Sequence, residues 1–188
     1  MSYNPQIHNR RSMRLKNYDY TQNGAYFITI CTKNRQCIFG DIKKGEMKLN
    51  SLGTIAYNYW QEIPQHFSHI QLDVFVIMPN HIHGILWIDN TITRCNEQRQ
   101  YGNMVAGSIP CVIRSYKSAV TKKINQICNQ KGASSVWQRN FYEHISRNEE
   151  SLESIRNYII NNPLEWKNDH ENTGDIYQQH EILLNIPF

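Results

Sequence analysis

The stretch "IQLDVFVIMPNHIHGILWI", Ile70 to Ile88, constrains the fold of this chain more than any other. Two runs rich in β-branched and aromatic residues flank Pro79-Asn80, a pair suited to a tight turn, so the segment predicts two antiparallel strands. Both runs are apolar enough to lie in the middle of a sheet. Side chains alternate across a strand, so His81 and His83 project from one face of the second strand while Ile82 points away. Two imidazoles held this way are either a hydrogen-bonded surface pair or two ligands of a metal.

The neighbouring segments predict what surrounds that hairpin. "GAYFITICT", after Gly24, reads as a first strand, and "QCIFGDIKKGEMKLN" as a hairpin whose lysines and Gly45 make the turn. In "NSLGTIAYNYWQEIPQHF" the apolar residues Leu52, Ile55, Ala56, Tyr59, Trp60 and Ile63 recur at helical spacing. Asn50 or Ser51 is the expected cap, and Pro64 the expected end. Residues 89 to 107 are polar without period and read as a mobile loop.

"SIPCVIRSYKSAVTKKINQIC" places Val112, Ile113, Tyr116, Ala119, Val120, Ile124 and Ile127 on one helical face, with Arg114, Lys117, Lys122 and Lys123 elsewhere. A short extended or turn segment follows, through about Arg147. The last helix has Asn148 as cap and Glu149 and Glu150 in its first turn, where negative charge suits the helix dipole. It continues through Leu152, Ile155, Ile159 and Ile160 and stops at "NNP". The sum is an α+β fold, an antiparallel sheet with helices packed mainly on one face.

A chain of 188 residues suits one domain. We expect residues 1–20 to form a basic arm, 21–167 the domain and 168–188 a tail that folds back over the site or serves as an interface. The arm carries Arg10, Arg11, Arg14 and Lys16 with no acidic residue before Asp19. It reads either as a solvated tail or as a phosphate-binding arm with Tyr18 and Tyr20 available for stacking. The formal charge of +4 permits nucleic-acid binding without demonstrating it. The five cysteines form no CxxC pair and read as reduced thiols. With no apolar run of membrane length and no signal-peptide core, a cytoplasmic protein is expected.

No phosphate loop of the "GxxxxGK[ST]" or "GxGxxG" kind occurs, and no "GxSxG" elbow. The distinctive cluster is "VWQRNFYEHISRNE", with Trp137, Arg139, Tyr142, Glu143, His144 and Arg147. Read chemically, Tyr142 is a candidate oxygen nucleophile, His144 or Glu143 a further metal ligand, and Arg139 or Arg147 a phosphate ligand. A phenol with a pKa near 10 needs a site that favours its deprotonation or a metal that activates the electrophile. The plainer alternative makes Phe141 and Tyr142 core aromatics.

"PNHIHGIL" resembles the histidine-hydrophobic-histidine (HUH) motif. Together with "WQRNFYEHISRNEESLESIRNYIINNPLEW" it makes the chain similar to the REP-associated tyrosine transposases, over roughly residues 8 to 167. The resemblance implies a ferredoxin-like fold and metal-dependent cleavage and joining of single-stranded or hairpin DNA through a 5′-phosphotyrosine. It places His81 and His83 on the metal, Mg²⁺ or Mn²⁺, and makes Tyr142 the nucleophile. The relatives often carry a Gln or other polar ligand one helical turn after the tyrosine. Ser146 stands there, so His144 becomes the candidate third ligand. Arg10, Arg11, Arg14, Lys16, Lys117, Lys122, Lys123, Arg139 and Arg147 are the candidate DNA contacts. A hairpin-binding module without turnover is the alternative, and both a monomer and a homodimer stay open. A metal-dependent phosphoesterase would need acidic ligands, and none lies within "PNHIHG".

Overall fold

The computed structural model describes residues 18–91, 105–129, 135–146 and 148–172. Its first strand, β1 (Gly24–Cys31), is followed by a hairpin of β2 (Gly40–Lys43) and β3 (Glu46–Leu49). Then come helices α1 (Ser51–Gln61) and α2 (Ile63–His66) and strands β4 (Ile70–Ile77) and β5 (His81–Ile88). Helix α3 (Ile109–Ile127), strand β6 (Tyr142–Ser146) and helix α4 (Glu149–Asn161) complete the order. Among the described residues no helix is long and apolar enough to cross a membrane.

The main sheet runs β4-β5-β1-β6, every pair antiparallel, and β2 and β3 pair only with each other. With that hairpin set aside, the chain follows a βαββαβ path with the first strand inside the sheet and the last at its edge, the ferredoxin-like arrangement. The expected strands and their Pro79-Asn80 turn are therefore present, and β5 is central as its apolar composition implied.

The two sheet faces are covered unequally. On one, Tyr26, Ile28 and Ile30 of β1 and Ile82, Leu86 and Ile88 of β5 pack with Leu52, Ala56 and Trp60 of α1 and Val112, Ile113, Tyr116 and Val120 of α3. On the other, Ala25, Phe27, Ile85, Val74, Val76 and Trp87 meet Leu152, Ile155 and Ile159 of α4. Helices do lie mainly on one face, as expected, and among the described residues α4 and the segment after it cover the face from which His81 and His83 project.

Local chemistry sets the element boundaries. Asn50 caps α1, its side-chain oxygen accepting from the backbone N–H of Leu52 and Gly53, each at 2.9 Å. Pro64 does not end that helix; it stands in the first turn of α2, where a missing N–H costs nothing. Asn148 caps α4 by accepting from Ser151 N at 2.8 Å, with Glu149 and Glu150 in the first turn. Ile160, expected on the apolar face of that helix, is 60% exposed. Most of the expected loop, residues 92–104, lies outside the described residues.

Gly84, inside the histidine strand, is required by a close approach. A Cβ there would lie 2.5 Å from Cζ2 of the buried Trp60 indole and 2.9 Å from Cβ of Phe75. Gly84→Ala is expected to destabilise the protein by about 1–3 kcal/mol through overpacking. A urea midpoint unchanged from wild type would show that α1 can move away without cost.

Candidate active site

Strand pairing positions the histidines. His81 stands opposite Cys31 and His83 opposite Thr29 of β1, and the two imidazole centroids are 4.4 Å apart. Both side chains are buried. His81 Nδ1 lies 2.8 Å from Asn80 Oδ1, so the ring donates there and presents the Nε2 lone pair. That Nε2 is buried and makes no hydrogen bond. Asn80 is itself fixed, its side-chain amide donating to the carbonyls of Arg35 at 3.1 Å and Glu171 at 2.7 Å. His83 Nδ1 is 2.9 Å from Thr29 Oγ1, and its Nε2 is 3.2 Å from the hydroxyl of Tyr158. Burial pushes the pKa of each histidine down to about 3, so both rings are neutral.

Helix α4 and the chain beyond it close the site. Asn162 follows Tyr158 by one helical turn and is buried, its Nδ2 donating to Asp169 Oδ2 at 2.6 Å while its Oδ1 is buried without a partner. A 3-10 turn at Trp166–Asn168 brings Asp169 back beneath the sheet face. Ligand atoms of His81, His83 and Asp169 all lie within 4.8 Å of one another. Glu171, two residues on, pairs with Arg35 Nε at 2.9 Å and accepts from the Cys31 thiol at 3.2 Å. Two imidazole nitrogens, a carboxylate and an adjoining unsatisfied amide oxygen form a donor set that fits a divalent ion.

The sequence-predicted residues divide. His81 and His83 come together as expected. Tyr142 is on β6, opposite Thr29, so His83, Thr29 and Tyr142 form one row across three strands. Two strand spacings separate the ends of that row, about 10 Å of backbone. Tyr142 is 49% exposed and meets Phe27 edge-on at 6.5 Å. His144, opposite Phe27 on the same edge strand, is exposed and lies outside the group formed by His81, His83 and Asp169.

Lys117 is not an open surface cation, because its ammonium donates to the carbonyls of Gln138, Arg139 and Asn140 and burial lowers its pKa to about 8. Lys122 and Lys123 are exposed on α3, and Lys122 and Arg139 line a groove of about 460 Å³ between α3 and the segment preceding β6. Arg10, Arg11, Arg14, Lys16 and Arg147 lie outside the described residues.

The sequence alone did not single out Tyr158, Asn162, Asp169, Thr29 or Asn80 as site candidates, and the structure sets all five around the histidines. The signal for the first two was legible: Asn162, in the "NNP" that stops the predicted helix, follows Tyr158 by four residues, the polar-after-tyrosine spacing sought at Tyr142. Nothing local marks Asp169, which reaches the histidines from the start of the segment expected to be a tail.

No protein-family model matches the chain. It is 43% identical over 177 residues to an uncharacterized protein of Haemophilus influenzae, covering 89% of this chain and 95% of that protein, and the two belong to one family. It is 23% identical over 163 residues to a putative REP-associated tyrosine transposase of the same organism, covering 80% of this chain and 77% of the relative. In fold it matches the structure of a REP-associated tyrosine transposase bound to a REP hairpin, with a TM-score of 0.51 and 18% identity. That match covers 82% of this chain and 74% of the other.

The buried histidines make stability depend on pH. Unfolded, they protonate near pH 6.5; folded, only near 3. Between those values the unfolded state binds more protons, so stability falls with pH by up to about 1.4 kcal/mol per unit for each histidine. Urea midpoints taken from pH 7 down to 4 should drop steeply, and His81→Gln with His83→Gln should flatten the drop. The same slope in that double variant would assign the acid sensitivity to other groups.

Proposed function

We propose that this transposase-like chain, related by sequence and fold to the REP-associated tyrosine transposases, cleaves and rejoins single-stranded or hairpin DNA with Tyr158 as nucleophile. The observation that carries this reading is the hydroxyl of Tyr158 at 3.2 Å from His83 Nε2, beside the buried, unbonded Nε2 of His81. Tyr142, favoured on sequence grounds, has no comparable contact among the described residues, and the role passes to the tyrosine that touches the histidines.

His81, His83 and Asp169 would hold the divalent ion, with Asn162 adjoining. Paired imidazoles suit Mn²⁺ better than Mg²⁺. Bound there, the ion would polarise a phosphoryl oxygen and oppose the negative charge around Tyr158. In the chain alone, burial and then the charges of Asp169 and Glu171 raise the Tyr158 pKa above its usual value.

The covalent step balances without a nucleotide cofactor. The Tyr158 oxygen bonds to phosphorus, the bond from phosphorus to the 3′-oxygen breaks, the phenolic proton leaves for solvent, and the departing 3′-oxygen takes up a proton from solvent. The products are a 5′-phosphotyrosine and a free 3′-OH, and attack by another 3′-OH restores the phosphodiester and the phenol. Asn80 and Thr29 hold the two imidazoles in orientation through their Nδ1 atoms. The exposed Lys122, Lys123 and Arg139, with the arm residues Arg10, Arg11, Arg14 and Lys16, are the proposed phosphate contacts, so binding should weaken with salt.

The test is incubation with end-labelled DNA hairpins in Mn²⁺ or EDTA, followed by denaturing electrophoresis. We expect a metal-dependent protein-linked band that vanishes in Tyr158→Phe and His81→Ala, weakens in Asp169→Asn and persists in Tyr142→Phe. Loss in Tyr142→Phe with retention in Tyr158→Phe would return the nucleophile to β6. Hairpin binding without any adduct would make the protein a binding module.

A further inference from the structure

Helix α4 meets the sheet along the apolar stripe Leu152, Ile155 and Ile159. Apolar contact is non-directional, so the stripe sets the helix's distance from the sheet more firmly than its roll about its own axis. At about 100° per residue, Arg156 leaves the helix on one side of that stripe and Tyr158 with Asn162 on the other. Whatever fixes Arg156 therefore fixes where the Tyr158 hydroxyl falls.

The structure gives Arg156 a built anchor. Strand β4 shifts register between Leu72 and Phe75, and Asp73 lies within the irregularity. Its carboxylate accepts from Arg156 Nη2 at 2.8 Å and from Arg156 Nε at 3.0 and 3.3 Å. It also accepts from Trp87 Nε1 at 3.1 Å and from the backbone N–H of Val74 at 2.7 Å. The side chains of Arg156 and Asp73 are only 24% and 16% exposed. The other partners of the guanidinium, Glu149 and Glu153, are 75% and 61% exposed and so bind it weakly.

We infer that Arg156 and Asp73 are positioning residues: their forked, half-buried pair sets the roll of α4 and so holds Tyr158 against His83. The functional part of this inference rests on Tyr158 being the nucleophile; the geometric part does not. A fork bonded to a carboxylate that Trp87 and Val74 also hold resists rotation, whereas a single-point ammonium would not.

The experiment compares Asp73→Asn and Arg156→Lys with Glu153→Gln, which removes only an exposed partner. In ¹⁵N-histidine-labelled protein the His83 Nε2 resonance, identified by its change in Tyr158→Phe, reports the Tyr158 contact without reference to activity. Both anchor variants are expected to move that resonance toward its Tyr158→Phe position and to slow single-turnover adduct formation about 100-fold, with hairpin affinity unchanged. Glu153→Gln should move neither. An unchanged His83 resonance in either folded anchor variant would overturn the inference, and a helix merely destabilised would lower the melting temperature without moving it. If wild type forms no adduct at Tyr158, the nucleophile assignment falls while the resonance still decides the positioning.

Discussion

Two imidazoles buried side by side between β5 and α4 impose requirements that much of the surrounding structure meets. An aromatic nitrogen removed from water must find a partner or remain as an energetic cost, and the protein answers for each ring differently. Asn80 takes the Nδ1 hydrogen of His81 and is itself locked by two backbone carbonyls. Thr29 meets Nδ1 of His83 from the neighbouring strand, and Tyr158 meets its Nε2 from the helix above. His81 Nε2 alone is left over, a buried acceptor beside a buried amide oxygen and a carboxylate. Neutral buried rings with oriented nitrogens cost stability, and a metal site has the same requirements.

The sheet's two faces divide the labour. The face under α1 and α3 carries the larger apolar core, closed tightly enough that the histidine strand has glycine where Trp60 crosses it. The opposite face has the smaller apolar cluster and, among the described residues, the one helix α4, and it holds the polar groups. A rigid layer thus supports a face on which side chains from β1, β5, α4 and the segment after α4 converge. The order of the strands makes this convergence possible, because β5 and β1 lie adjacent inside the sheet while β6 stands at its edge.

Similarity and geometry bear on different questions. The likeness to a solved REP-associated tyrosine transposase concerns the fold. Which side chains meet depends on the register of β1 with β5 and on the path of the chain after Asn162. The same register that joins His81 to His83 places His144 on the edge strand, and the return of the chain at Trp166 brings an acidic group to a turn whose own sequence contains none.

The sequence by itself determined the elements and the paired histidines. Alternation along β5 put both imidazoles on one face, helical spacing and Asn caps marked α1 and α4, and the apolar run from Ile70 to Ile88 made a central hairpin. These are short-range properties, written in neighbouring residues. Only the tertiary structure decided which tyrosine and which carboxylate lie beside the histidines. A linear reading favours Tyr142, in the cluster before the last helix, and leaves Tyr158 as one more residue of that helix, while Asp169 is one acid among many. Their distances to His83 follow from strand order, helix roll and chain return, which are set by contacts between residues far apart in sequence and leave no local periodic mark.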